Sequence, residues 1–142
     1  MTMSKIAVVY WSGTGNTEQM AAQVAEGVRS AGGEAVLLTA PEFGPEQLPA
    51  YDAVAFGCPS MGAEQLEEGE FEPMFTACEP ALSGKKLGLF GSYGWGDGEW
   101  MRTWQDRCTD AGAALVGEGV ICCDAPDEAA EAACRALGAQ LA

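Results

Sequence analysis

Three short segments carry side chains whose types and spacing suit them to hold a ligand. The first is Ser12-Gly13-Thr14-Gly15-Asn16-Thr17, made only of glycines and residues with polar donors. Small residues let backbone N–H groups converge, and a helix starting here would add partial positive charge, so a phosphate could sit without a cation. It is not a Walker A loop, which needs Lys before the last Ser or Thr, and it lacks the third Gly of G-x-G-x-x-G. The same residues also suit an ordinary tight strand-to-helix turn with a capping Thr. The density of donors favours the phosphate.

The second is Pro59-Ser60-Met61-Gly62-Ala63-Glu64, and the third is Ser92-Tyr93-Gly94-Trp95-Gly96-Asp97-Gly98. In the third, glycines flank a large ring. That combination lets a ring lie flat over a planar ligand while nearby backbone approaches its edge. A Gly-rich turn with Trp95 on the surface accounts for it equally well. In the second, Met61 offers a polarizable side chain to an aromatic face. Methionine usually fills a core, but here it sits in a loop between Pro59 and Gly62. A phosphate loop with two clamping residues describes a phosphorylated planar cofactor, and flavin mononucleotide (FMN) fits best.

These loops need a frame, and two periodicities supply it. Short apolar runs at Ile6–Trp11, Glu34–Thr39, Asp52–Gly57, Lys86–Ser92 and Ala113–Cys122 read as strands, the last bent at Gly117 or Gly119. Helical spacing marks Asn16–Ala31, Gly69–Pro80, Gly98–Ala111 and a last helix opened by Pro126, Asp127 and Glu128. The last helix's stripe is expected to be Ala130, Ala133, Leu137 and Leu141. Pro41–Pro49 reads as a loop. Near-continuous apolar strands alternating with helices imply a parallel sheet covered on both faces. Ligands then bind beyond the carboxyl ends of the strands, which is where all three segments fall.

The chain has 142 residues, enough for one domain with its own core. Its 7 basic and 21 acidic residues give a net charge of −14. Phosphate backbones need clustered Lys and Arg, so nucleic acid is excluded as a partner, and an anionic membrane is disfavoured. A basic protein would be steered towards this surface. There is no histidine, which removes His acid–base catalysis, Ser–His triads and His metal sites. The six cysteines form no C-x-x-C pair, and Met-Thr-Met-Ser-Lys is no signal peptide. They are expected to be buried free thiols in a reducing cytoplasm.

Together the three segments resemble the flavodoxins, in particular the short-chain kind of fermentative anaerobic bacteria. Tyr10 to Glu18 resembles the family's phosphate signature, and Leu89 to Met101 its flavin-ring loop. Phe56 to Gly62 and Phe71-Glu72-Pro73 match as well, and the similarity runs from about Lys5 to Leu141. The resemblance implies a single three-layer α/β sandwich over residues 1–142. Its five-stranded parallel sheet has the order 2-1-3-4-5, with helices on both faces. The function implied is that of a low-potential one-electron carrier with bound FMN, replacing ferredoxin between redox enzymes. It would have no substrate turnover of its own and no metal, and would be a monomer.

The resemblance also assigns roles. Ser12, Gly13, Thr14, Gly15, Asn16 and Thr17 hold the phosphate. Trp95 stacks on one face of the flavin ring and Met61 covers the other. The backbone at Gly94 and Gly96 reaches the pyrimidine oxygens, and Glu64 bonds the ring N3–H. Pro59, Ser60, Ser92, Tyr93 and Asp97 complete the site. The Gly62–Ala63 peptide flips on one-electron reduction, and its carbonyl then accepts from N5–H and stabilises the neutral semiquinone. Glu64, Glu67, Glu68, Glu70 and Glu72 would supply a negative field that opposes a second electron. That run is also an ordinary solvated face. Ala63 departs from relatives that carry Asp, Asn, Gly or Ser there. In a type II turn from Met61 to Glu64 it would need φ > 0, which is costly for Ala.

Other readings of this fold fit less well. A nicotinamide-dependent reductase needs a second site, yet no basic residue lies in the three loops. A phospho-receiver needs acidic residues where Tyr10 and Trp11 stand. A low-molecular-weight phosphatase needs Cys and Arg in the first loop. Cys58 has no basic neighbour in sequence and reads as structural. The partners expected are oxidoreductases with basic docking faces.

Overall fold

The structure is a computed structural model that describes residues 4–13, 15–61, 65–94 and 96–142. Strand β1 (Lys5–Tyr10) lies at the centre, where Ile6, Ala7, Val8 and Val9 are fully buried. It pairs in parallel with β2 (Glu34–Thr39) on one side and β3 (Ala53–Gly57) on the other. Next comes β4 (Lys86–Tyr93), giving the expected order 2-1-3-4 and then the outer strand. Side chains alternate between the two sheet faces. Ala7, Val9, Val54, Phe56, Leu87 and Leu89 face one layer of helices, while Ile6, Val8, Ala53, Ala55 and Phe90 face the other.

The outer strand differs from expectation. The single run Ala113–Cys122 is instead two pieces, β5 (Ala114–Leu115) and β6 (Val120–Cys123), both parallel to β4. Lys86 is opposite Ala114, but Phe90 is opposite Val120, so the outer chain uses two more residues than β4 over that stretch. Gly117 takes a left-handed φ of 102° there, and the Gly119 N–H leaves the ladder to donate to Gln105 Oε1 at 2.6 Å.

One face is covered by α1 (Asn16–Ser30) and α4 (Glu128–Leu141). Met20, Ala21, Val24, Ala25 and Val28 form the buried stripe of α1. The helix stops at Gly32, with φ 90°, and Gly33 N–H reaches back to Val28 O at 2.9 Å. Asp127 caps α4 by accepting from Ala130 N–H at 2.8 Å. The buried stripe of α4 is Ala130, Cys134, Leu137 and Leu141. Ala133, expected in that stripe, is exposed, because the inward position one turn on from Ala130 is Cys134. The two helices touch backbone to backbone: a methyl at Gly27 would strike the Arg135 carbonyl, and one at Gly138 the Val24 carbonyl.

The other face is covered by α2 (Phe71–Cys78) and α3 (Glu99–Asp110). Phe71 and Phe75 meet the Trp104 ring edge-on, with centroids 5.4 and 5.8 Å away. The α2 helix is shorter than Gly69–Pro80. Gly69 and Glu70 are held in its N-terminal cap, and Pro80 enters a 3-10 turn. The Pro41–Pro49 loop is likewise built largely of 3-10 turns. All six cysteines are free. Cys58, Cys78, Cys108 and Cys134 are buried as expected, but Cys122 is half-buried and Cys123 exposed. Both lie on the outer strand, which among the described residues has no neighbour beyond it.

Candidate functional site

The carboxyl ends of β1, β3, β4 and β6 open onto a cleft of about 210 Å³. Gly13, Asn16, Pro59, Ser60, Met61, Ser92, Tyr93 and Gly94 line it, so residues from all three segments singled out in the sequence meet there. Ser12, Gly15 and Thr17 stand in the adjoining turn. Thr14, Gly62, Ala63, Glu64 and Trp95 lie outside the described residues.

The first segment is shaped by its glycine. Gly15 has φ 96°, the left-handed region that favours glycine, and it stands at the N-cap of α1 without a side-chain cap. Among the described residues the Asn16 and Thr17 N–H groups at the start of α1 have no protein acceptor and are left for an anion. Ser12 Oγ accepts from Gly15 N–H at 3.1 Å and from Glu18 N–H at 3.3 Å, which leaves its own O–H to donate. Thr17 is buried, with its hydroxyl 3.2 Å from that of Ser92. No lysine or arginine lines the cleft among the described residues.

In the second segment, Ser60 N–H donates to Ser92 O at 3.0 Å and so ties the segment to β4. Its buried hydroxyl has no partner among the described residues. Met61 and Gln65 exchange backbone hydrogen bonds of 2.8 and 2.9 Å, which pins both ends of the stretch between them. Met61 is exposed at 37%. Cys58 Sγ lies beneath this segment and accepts from Glu67 N–H at 3.3 Å. Burial pushes its thiol far above the ordinary range, so it stays protonated and structural.

In the third segment, Tyr93 leans on Trp100 with centroids 5.5 Å apart. Gly96 has φ 88°. Neither Gly96 nor Asp97 is part of the cleft lining. The Asp97 carboxylate is engaged by Arg102, 3.0 Å away. A basic residue thus does reach the third segment, but only to pair with it.

The acidic run proves more structural than the sequence suggests. Glu67 accepts from the N–H groups of Gly69, Glu70 and Phe71 at 2.7–2.9 Å and so caps α2. Partial burial works to raise its pKa, but these three bonds outweigh that and hold it below the usual carboxylate range. Glu72 forms a two-pronged pair with Arg107, so its charge is compensated. Glu70 accepts from Trp11 Nε1–H at 2.9 Å, and Glu68 is exposed.

Two lining residues were missed in the sequence. In the sequence Trp11 stands as a strand end within the Tyr10–Glu18 phosphate signature, with no contact of its own assigned to it. Asp124 carries φ 60°, a rare conformation outside glycine, and its N–H donates to Tyr93 O at 2.8 Å. The stretch Asp124-Ala125-Pro126 is a turn signal, but nothing in it points to a ligand.

The flavodoxin family profile matches residues 8–137. A flavodoxin of Megasphaera elsdenii is 44% identical over 133 residues, covering 94% of this chain and 95% of that one. This chain belongs to the flavodoxin family. A flavodoxin of Clostridium beijerinckii is 43% identical, covering 95% of this chain and 97% of that one. The solution structure of two-electron reduced Megasphaera elsdenii flavodoxin superposes with a TM-score of 0.87 at 43% identity, covering 96% of this chain and 97% of that one. The chain is accordingly an FMN-based electron carrier without substrate turnover of its own, and it works with redox partner proteins.

The residues present fit that cofactor. The Ser60 hydroxyl, without a partner among the described residues, the Asn16 and Thr17 N–H groups of α1 and the Ser12 O–H are donors awaiting acceptors, and phosphate and ribityl oxygens supply them. Trp11, Met61 and Tyr93 provide the apolar and aromatic wall a flavin ring requires.

Proposed function

We propose that the chain carries single electrons at low potential between cytoplasmic redox enzymes, in place of ferredoxin. It would act as one domain and as a monomer, and would dock basic faces of its partners. The observation that carries this reading is the cleft itself. It has hydroxyl and backbone donors at one end, apolar and aromatic walls at the other, and no cation among its described lining residues. Bound FMN supplies one-electron redox chemistry.

The chain's own residues do the rest. The turn from Ser12 to Thr17 holds the phosphate through backbone N–H groups and hydroxyls. Pro59, Ser60, Met61, Ser92, Tyr93 and Gly94 shape the wall and exclude water. The parts given to Thr14, Gly62, Ala63, Glu64 and Trp95 rest on the family resemblance alone, as do those of Gly96 and Asp97 at the ring edge. The net charge of −14 supports low potential, since added negative charge is disfavoured in a negative field. It also supports steering of basic partners. Among the described residues no helix is long and apolar enough to cross a membrane.

The test is anaerobic stepwise reduction of the FMN-loaded protein, followed by its spectrum. Two separated one-electron steps are expected, the second at low potential. A single two-electron step would overturn the carrier reading in favour of a reductase. Failure to bind added FMN would overturn the site.

A further inference from the structure

The outer edge of the sheet carries a second concavity. A groove of about 440 Å³ runs along β6 and the start of α4, with Val120, Ile121, Cys122, Ala129, Ala130 and Ala133 among its walls. Tyr93 lines both this groove and the cofactor cleft. Ile121 is exposed at 38%, and Ala129 and Ala133 are exposed as well.

Among the described residues strand β6 is paired on one side only, to β4. The Asp124 N–H bond to Tyr93 O fixes the phase of that ladder. By the two-residue alternation of a strand, the N–H and C=O of Ile121 and Cys123 then point away from β4. Among the described residues no backbone hydrogen bond outside the ladder reaches them. A free strand edge beside an apolar groove is the geometry that accepts an added strand.

Charge decides the occupant. Glu118, Asp124, Asp127, Glu128 and Glu131 flank the groove in sequence, and no lysine or arginine lines it among the described residues. A second copy of a chain with net charge −14 would be repelled. A basic segment would be attracted.

We propose that β6 accepts an extended segment of a redox-partner protein as an added strand, with apolar side chains in the groove and alternating basic ones against the flanking carboxylates. This rests on the electron-carrier reading for the class of partner. Because Tyr93 is shared, such a strand would seat the partner beside the cofactor cleft.

The test uses 15N-labelled, FMN-loaded protein titrated with a synthetic peptide of alternating lysine and valine. At saturation, exchange of the Ile121 and Cys123 amides should slow by about tenfold or more, while exposed amides on the opposite edge strand, β2, do not. Ala129→Lys changes an exposed residue of α4 that lines the groove and places a cation on it, so it should weaken binding by about tenfold. The proposal falls if both amides stay unprotected at millimolar peptide, or if the variant binds equally well. It also falls if a peptide N-methylated at its valines and one N-methylated at its lysines both bind as tightly. Normal one-electron reduction with unprotected amides would overturn this inference alone. Loss of one-electron chemistry would overturn the carrier reading whatever the peptide does.

Discussion

Thr17, in the first turn of α1, and Ser92, near the end of β4, join their hydroxyls across 3.2 Å in a buried position. One hydroxyl donates to the other, so one O–H of the pair remains for a ligand oxygen. The contact also fixes the phosphate turn to the strand that carries Tyr93. Thr17→Val keeps the volume but strands the Ser92 hydroxyl. It is expected to destabilise the FMN-free protein by about 1–3 kcal/mol and to weaken FMN binding by about tenfold or more. Thr17→Ser should preserve both. Denaturation of the FMN-free protein and fluorescence titration with FMN check the two effects separately.

The Ser60 hydroxyl makes the opposite case. It is buried without a partner among the described residues, so in the FMN-free protein it is a cost rather than a support. Ser60→Ala should leave the FMN-free protein as stable as before or slightly more so. FMN affinity should fall by about tenfold, the value of one well-made hydrogen bond. Equal affinity for FMN in variant and parent would remove Ser60 from the site.

Arg107 spans α3 and α2, holding Glu72 at 2.8 Å through both nitrogens and Glu79 at 2.8 Å. Burial works to raise the Glu72 pKa, but the hydrogen bonds from Arg107 and Thr76 and the charge of Arg107 win and lower it. A carboxylate depressed in the folded state contributes stability above its unfolded pKa, near 4.5, and loses it as pH falls through the folded pKa. Glu72 is partly open to water, so the pair is worth only about 1 kcal/mol. Glu72→Gln should therefore cost about that much at pH 7, and the gap to the parent should close on acidification below 4.5. Urea denaturation across that pH range measures it. A gap independent of pH would mean the charge contributes nothing.

What the sequence made legible follows from how locally each feature is encoded. The phosphate turn could be read because Gly15, a helix start and three hydroxyls sit within six adjacent positions. The inner strands could be read because successive residues such as Val8 and Val9 are buried on opposite sheet faces, so their runs are apolar throughout. The roles of Glu67 and Glu72 could not. An acidic run looks the same whether its carboxylates cap a helix, pair with an arginine 35 residues away or face water. Asp124 was hidden for a similar reason. It lines the cleft because β6 lies beside β4, a placement no short motif carries. The break between β5 and β6 was half visible: Gly117 and Gly119 marked the bend, but only the register to β4 shows the two extra residues.

Ala63 supports a prediction about potential. It lies outside the described residues, but its flanks are fixed, since Met61 and Gln65 close the stretch with two backbone hydrogen bonds. In a type II turn from Met61 to Glu64, the position that needs φ > 0 is that of Ala63. The left-handed conformation costs alanine about 1 kcal/mol and glycine almost nothing. If that turn forms only when the flavin gains its first electron, the penalty falls on the reduced side of the first couple. For a one-electron couple such a penalty is on the order of 50 mV. Ala63→Gly is therefore expected to raise the first potential by that order, with the second potential moving less. A spectroelectrochemical titration of both proteins, anaerobic and with mediator dyes, reads both couples. A first potential that stays put or falls in the variant would show that the strain does not reside at Ala63.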